Sequence, residues 1–515
     1  MTRLKRTAVV LPDDSKQQGW VPRLAQEFRL RQLDDLLARQ PASGDAIGTE
    51  IERAVLLGAL DRRAEAQQVF IDILRRVPEN FSALNEFGTL LTQMGAFDAA
   101  CRVYAEAILH HPQNPMARVN LANLLLRANR YAEARDHYEA VLRTDPDHAE
   151  AHQGLGAVLA DIGDREGARR HFEQGFRGHA VSTLPYRGTR PPITLLQLMS
   201  SGGGNIPTSA LLNDCTFLTT VIVTDYLDPQ MALPPHQLIF NAIGDADLCK
   251  PALEAAVRLI DRTTAPVIND PRLVMKTGRT DNAVRLGLLP GVVTPKTIPI
   301  ERDLLAGPRG AIAVADLGFS FPLLLRSPGY HTGRNFIFVE KASELAAAAG
   351  GLPGDELLVI EYLEACGRDG NARKYRVMMI GGRIYPLHLA ISRNWKVHYF
   401  TSDMADKPDH RAEEALFLGD MRVALGDTAM TALEQIRDQL GLDYAGVDFG
   451  LASNGDLLLF EANATMVIAV PDADERWAYR RTAISSIIDA VIAMIMQKST
   501  AAQRSLHCTA QSLTG

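Results

Sequence analysis

Small and apolar residues return every 34 positions between residues 47 and 180. Blocks aligned on Ile47, Phe81, Pro115 and Ala149 carry a small residue at the eighth place: Ala54, Gly88, Ala122 and Gly156. Ala66, Ala100, Ala134 and Ala168 follow at the twentieth place, with Phe70, Tyr104, Tyr138 and Phe172 four positions later. Pro78, Pro112 and Pro146 close the first three blocks. Small residues let two paired helices approach, the aromatic fills the next gap, and proline ends the second helix. The pattern predicts stacked helical hairpins over 47–181. Residues 22–40 form a candidate capping helix within a 1–46 extension.

Beyond 181 the pattern changes. Prolines and glycines over 184–192 mark a linker, placed at 182–192. Short apolar runs at 193–198, 219–224, 237–243 and 266–269, with a helix at 251–262, predict an open α/β domain over 193–275. Its glycine run, 201–205, lacks dinucleotide-fingerprint spacing and implies no NAD. Further apolar runs at 319–326, 357–364, 374–380 and 384–391 predict an α+β domain over 276–497. The apolar stretch 484–496 falls short of the ~20 residues that span a bilayer, so it reads as a buried helix. The polar residues 498–515 are expected to be disordered.

Composition narrows the class. The chain has 515 residues, 46% hydrophobic and 22% charged, as in a soluble protein of several domains. A net charge of −7 argues against a nucleic-acid binder. Five cysteines without paired or metal-ligand spacing fit a reducing compartment. The N-terminal apolar stretch is too short for a signal peptide. The expectation is a cytoplasmic protein with neither membrane nor nucleic-acid partner, and with self-association left open.

The densest chemistry lies in 446–466, where two apolar runs flank Ser453-Asn454-Gly455-Asp456. Asn-Gly between such runs predicts a hairpin. Glu461 and Asn463 then share a strand face and Asp448 meets them from the partner strand. Two carboxylates and an amide oxygen make a hard site suited to Mg²⁺ carrying nucleotide phosphates. Spacing alone also allows two solvated carboxylates on an ordinary hairpin.

These residues resemble the metal-binding end of the ATP-grasp fold, of the glutathione-synthetase-like kind, where an Asp and a Glu-x-Asn coordinate Mg-ATP. Ala464-Thr465-Met466 departs from the family's usual turn. The resemblance extends over about 193–497, with the α/β domain as a pre-ATP-grasp domain. It implies phosphate-binding cations at Arg279 and Arg326, where relatives carry Lys, and a phosphate loop containing Gly329 and Gly333. It implies an adenine hinge at Glu361, Tyr362 and Leu363. It places Lys374 by the phosphates, with Arg376 and Arg393 as catalytic cations. His388 and His398 are read as core histidines rather than catalytic groups. The activity implied is an ATP-dependent carboxylate–amine ligase working through an acyl phosphate, with ATP and Mg²⁺. A nucleotide-binding scaffold without turnover and phosphoryl transfer to a non-carboxylate acceptor are the alternatives.

The 34-residue blocks resemble the tetratricopeptide repeat (TPR). The resemblance implies a solenoid whose groove takes a peptide or protein partner. Asn85, Asn120 and Asn123 could line the groove, although solvent-facing polar positions are the favoured reading.

Overall fold

The computed structural model describes residues 30–35, 38, 46–328, 333, 335–397, 402–471 and 474–512, with 501–512 as helix backbone. Contacts divide them into two compact units. One holds the repeats to Ala180, with 185–192 and 214–216; the other holds 181–184, 193–213 and the described residues from Phe217 on.

The first unit consists of four helix pairs: α1 (Ala46–Ala59) and α2 (Arg63–Arg76), α3 (Phe81–Gln93) and α4 (Phe97–His110), α5 (Pro115–Arg127) and α6 (Tyr131–Thr144), α7 (Ala149–Asp161) and α8 (Arg165–Phe176). The in-register alanines Ala66, Ala100, Ala134 and Ala168 are buried, as are Phe70, Tyr104, Tyr138 and Phe172. Within the expected capping helix, 30–35 is helical with Leu30 and Leu33 buried.

Of the three asparagines, Asn123 is solvent-exposed as expected, Asn120 is half-buried, and only Asn85 departs from a solvent-facing position. Asn85 is buried, and its Oδ1 accepts from Asn120 Nδ2 at 2.8 Å, linking one pair to the next. Asn123 Oδ1 accepts from Tyr138 OH at 2.5 Å. Burial of Asn85 leaves its side chain to pair with Asn120 rather than with water, which spacing does not reveal.

In the second unit, β1 (Val181–Thr183), β2 (Ile193–Met199), β3 (Phe217–Val223), β4 (Leu238–Asn241) and β5 (Val267–Ile268) form a sheet ordered β1-β3-β2-β4-β5. It is parallel except at β1, which pairs antiparallel with β3. The expected linker thus begins as an edge strand. Helix α9 (Lys250–Ile260) covers one face through Ala252, Leu253, Ala256 and Leu259.

β7 (Thr297–Glu301), β10 (Glu356–Glu361), β8 (Leu323–Arg326) and β9 (Phe336–Val339) form an antiparallel sheet in that order. A third sheet runs β12 (Arg383–Ser392), β11 (Ala372–Ile380), β13 (Tyr444–Leu451), β14 (Leu457–Asn463), β6 (Val292–Val293). Gly381 and Gly382, at φ 55° and 80°, turn β11 into β12 in the positive-φ conformation that two-residue hairpins require. Asn269 ties the first sheet to the third. Its Nδ2 donates to Tyr444 O at 2.8 Å and its Oδ1 accepts from Tyr444 N at 2.8 Å.

Helix α10 (Arg279–Leu286) leads into β6, and α11 (Pro408–Gly419) and α12 (Met421–Leu440) join β12 to β13. The final helix, α13 (Ala478–Ser512), runs past the expected boundary at 497, so 498–512 are helical rather than structureless. Within it, Ile484, Ile487, Val491, Met494 and Ile495 form an apolar stripe at helical spacing. They pack with Met378, Leu387 and Tyr444 of the third sheet and Phe240 of the first. By length and composition Glu475–Thr500 is long and apolar enough to cross a membrane, more than the 484–496 run alone suggests. Here its stripe is taken up by the core.

Candidate functional site

A cavity of about 910 Å³ is lined by residues of the second and third sheets of the C-terminal unit. Register builds its floor. Arg376 of β11 lies opposite His388 of β12 and Asp448 of β13, and Asp448 lies opposite Glu461 of β14. One row across four strands therefore reads His388, Arg376, Asp448, Glu461. The pairing shifts beside this row, between Arg376 and Val377 and between Asp448 and Phe449. Such bulges re-aim side chains at functional sites.

The carboxylates are held by cations. Arg376 grips Asp448 with Nε–H and Nη2–H, the latter at 2.7 Å from Oδ2, and Lys374 Nζ stands 3.1 Å from the same oxygen. Burial would raise the Asp448 carboxyl, but Arg376 and Lys374 hold it far below the usual range. Arg279 Nη2 donates to Glu461 Oε1 at 2.8 Å, and Asn463 Nδ2 donates to the same oxygen at 3.0 Å. Glu461 too is held low: burial opposes ionisation and the arginines, Arg279 foremost, outweigh it. Asn463 Oδ1 accepts from Thr465 N and Oγ1, both at 2.9 Å.

Arg326, at the end of β8, packs over the Phe336 ring at 5.5 Å. Burial, then the like charge of Arg279, pull its guanidinium down to about 10. Lys396 reaches the same cavity and donates to Gly333 O. Its ammonium is lowered by burial and by Arg326. Trp395 stacks on Phe338 at 5.4 Å and meets Phe336 edge-on at 5.4 Å, which fixes the segment carrying Lys396. Along the hinge, Glu361 Oε2 accepts from Lys296 N at 3.1 Å.

The cavity thus gathers Arg279, Arg326, Gly333, Glu361, Tyr362, Leu363, Lys374, Arg376, Asp448, Glu461 and Asn463. Gly329 and His398 lie outside the described residues. Arg393 is a correction. It is exposed and does not line the cavity, and its backbone N–H bonds Asp403 Oδ2 at 3.0 Å. The chain turns there, Asn394 N bonding Ser392 Oγ at 3.1 Å, so the inward cation is Lys396. His388, read as a core histidine, is buried yet lines the cavity, its imidazole kept from protonation by burial and by Arg376. Arg480 of α13 also reaches the wall, and nothing local in the sequence marks it.

Two carboxylates and an amide oxygen are hard donors of the kind that take Mg²⁺. Among the described residues no group of three or more His, Cys, Asp and Glu stands ready to hold a metal. In the structure these oxygens are engaged: Arg376 and Lys374 hold Asp448, Arg279 and Asn463 hold Glu461, and Thr465 holds the Asn463 amide oxygen.

A tetratricopeptide-repeat family model matches residues 85–149 and 119–176. Among curated relatives, the "Inactive TPR repeat-containing thioredoxin TTL3" of Arabidopsis thaliana is 36% identical over 94 residues, covering 18% of this chain and 14% of that protein. The "TPR repeat-containing thioredoxin TTL4" of the same plant is 36% identical over 85 residues, covering 16% of this chain and 12% of its own. The chain therefore spans only a small part of these relatives' length. Among solved structures, MamA from residue 41 of Desulfovibrio magneticus RS-1 shares 20% identity. It covers 31% of this chain and 89% of that one, with a TM-score of 0.26. YrrB, described as "a TPR protein with an unusual peptide-binding site", shares 22% identity over 29% of this chain and 76% of its own, TM-score 0.24. The N-terminal region is a tetratricopeptide-repeat array, joined to a mixed α/β region.

Proposed function

We propose that the C-terminal unit is an ATP-grasp-type, ATP-dependent carboxylate–amine ligase, and that the repeat array recruits a peptide or protein substrate. One observation carries the reading: Arg279, Arg326, Lys374, Arg376 and Lys396 converge on a cavity that holds Asp448 and Glu461 on one row. Burial first, and then the like charge of Arg279, pull Arg326 down to about 10. A polyanion relieves that repulsion, and a nucleotide triphosphate supplies it.

In this reading Asp448 and Glu461, with Asn463 turned from Thr465, would hold Mg²⁺, which neutralises charge on the phosphates when bound. Arg279, Arg326 and Lys396 bind the phosphate tail. Glu361 and the backbone of Tyr362 and Leu363 orient the base. Hydroxide leaves poorly from a carboxylate, so the carboxylate oxygen first takes the γ-phosphoryl group and ADP departs. The amine then attacks the acyl carbon, phosphate leaves, and the amine proton passes to solvent or an acceptor. Arg376 and Lys374, released from Asp448 by the incoming phosphates, stabilise the charge that develops.

A scaffold that holds nucleotide without turnover draws support from the same grip of Arg376 and Lys374 on Asp448. Acceptor-dependent ADP release separates the two. The ligase reading expects Glu461→Gln to lower it by roughly 100-fold or more, the scale of removing one charge-stabilising group. Full activity in that variant would remove Glu461 from the metal site. Tight Mg-ATP binding with no ADP release against any carboxylate would favour the scaffold.

A further inference from the structure

Between β10, which ends at Glu361, and β11, which begins at Ala372, the chain runs along the cavity wall outside regular strands. Tyr362, Leu363 and Ala365 of this stretch line the cavity. The wall beside them is apolar: Ile360 lies opposite Leu324 in the strand pairing, and both line the cavity with Phe460. Backbone outside regular pairing keeps one shape only where other contacts offset the entropy of ordering it. Some of those contacts are local. Ala365 O accepts from Arg373 N at 2.9 Å, Gly367 N donates to Asn371 O at 2.9 Å, and Gly370 turns the chain at φ 73°. Ala365 is buried against β13, where a Cβ on Gly450 would lie 2.5 Å from the Ala365 Cβ and 3.0 Å from the Phe460 ring.

One side chain braces the stretch. Arg373 donates five hydrogen bonds, as many as a guanidinium has N–H groups. Nε and Nη2 fork onto Glu413 Oε1 and Oε2 at 2.7 and 2.9 Å. Nη1 and Nη2 reach Asp369 Oδ1 and Oδ2 at 2.7 and 3.2 Å, and Nη1 also reaches Asn371 O at 3.1 Å. Gly367 leaves room for the guanidinium, since a Cβ there would lie 2.2 Å from Nη1. Arg373 holds the Asp369 carboxyl below the usual carboxylate range, which keeps the pair charged at neutral pH. Glu413 belongs to α11, none of whose residues lines the cavity. That helix is itself fixed. Its Phe417 is fully buried and meets Tyr375 edge-on at 5.2 Å, and its Arg411 Nη1 donates to Met404 O and Ala405 O at 2.9 and 2.8 Å.

With its donors committed to protein oxygens, Arg373 is arranged to hold the wall rather than to take a ligand. The wall it holds stands beside Ile360, Leu324 and Phe460, apolar surroundings that suit a flat base better than a phosphate chain. Resting on the ATP-dependent reading above, we propose that Arg373, braced by Glu413, is the positioning residue that shapes the 361–365 wall for the nucleotide base. Loosening it weakens the base contact. The phosphate contacts assigned to Arg279, Arg326 and Lys396 stand on other elements and stay in place.

The test is calorimetry on the full chain with Mg²⁺, titrating a non-hydrolysable ATP analogue and, separately, inorganic triphosphate, which has no base. Arg373→Gln is expected to weaken the analogue about tenfold and triphosphate less than about twofold. Glu413→Gln, a change outside the cavity, should show the same selective loss at about threefold, and the double variant should lose little more than Arg373→Gln, since both act through one contact. Arg373→Lys should recover only part of the loss, because an ammonium cannot fork onto two carboxylates. If Arg373→Gln fails to fold, Glu413→Gln decides. An unchanged ratio between the two ligands in the folded variants, whether both weaken or neither does, would overturn the proposal. Triphosphate binding the parent as tightly as the analogue would also overturn it, leaving no base contact to position and the phosphate site intact. If the parent binds neither ligand, the nucleotide reading itself fails and the proposal falls with it.

Discussion

At Gly88 a Cβ would lie 2.6 Å from Cε1 of the buried Tyr104, closer than carbon atoms pack. Alanine here gains about 1 kcal/mol of helix propensity but incurs an overpacking cost of about 1–3 kcal/mol. The clash wins because Tyr104 is enclosed, so Gly88→Ala is expected to lower thermal stability by ~1 kcal/mol in a melting experiment. Unchanged melting would mean that the ring can move aside. Arg326 carries the opposite sign. Its guanidinium is lowered to about 10 in the fold, so its charged form is disfavoured there relative to the unfolded chain. That penalty is present below about pH 10 and relieved as pH rises toward the group's ordinary value. Arg326→Gln is therefore expected to melt no lower than the parent at pH 7 and to bind inorganic triphosphate about tenfold more weakly. A lower melting temperature with intact triphosphate binding would contradict the electrostatic account.

Strands, rather than loops, set the site. The row from His388 to Glu461 exists because β12, β11, β13 and β14 pair in one register. Asp448→Asn removes the shared partner of Arg376 and Lys374 and leaves two partly buried cations uncompensated. The expected cost is ~3 kcal/mol, the low end for a broken buried pair, because both cations keep some exposure to water. Urea unfolding measures it. The sign in acid follows from the lowered carboxyls of Asp448 and Glu461. Their contribution is present above the unfolded carboxylate range and lost as pH falls toward their lower folded values. Relative to the parent, Asp448→Asn should therefore lose less stability on acidification.

Much of this element-level order is legible in the sequence. Period-two alternation places Lys374 and Arg376 on one face, Asn-Gly marks the β13–β14 turn, and the 34-residue spacing marks each helix pair. What is not legible depends on contacts distant in sequence. A single turn decides between Arg393 and Lys396 as the inward cation. Arg480 is drawn to the wall by α13, which contributes nothing to the hairpin motif. β1 and the Asn85–Asn120 bond arise only where strands or helix pairs meet.

At the scale of the whole molecule, contacts divide the described residues into the repeat array and the α/β unit. If the array recruits substrate and the α/β unit does the chemistry, a chain beginning at residue 181 should keep nucleotide affinity within about twofold and lose turnover of protein or peptide acceptors. Lost nucleotide binding in that fragment would tie the site to the repeats. The central claim is that the cationic cavity over the Asp448–Glu461 row binds a metal-bound nucleotide. Calorimetric titration of the full chain with a non-hydrolysable ATP analogue, with and without Mg²⁺, tests it most directly. The account predicts saturable binding that tightens with Mg²⁺, a gain lost in Glu461→Gln. No binding by the parent chain, or an Mg²⁺ effect untouched by Glu461→Gln, would contradict it.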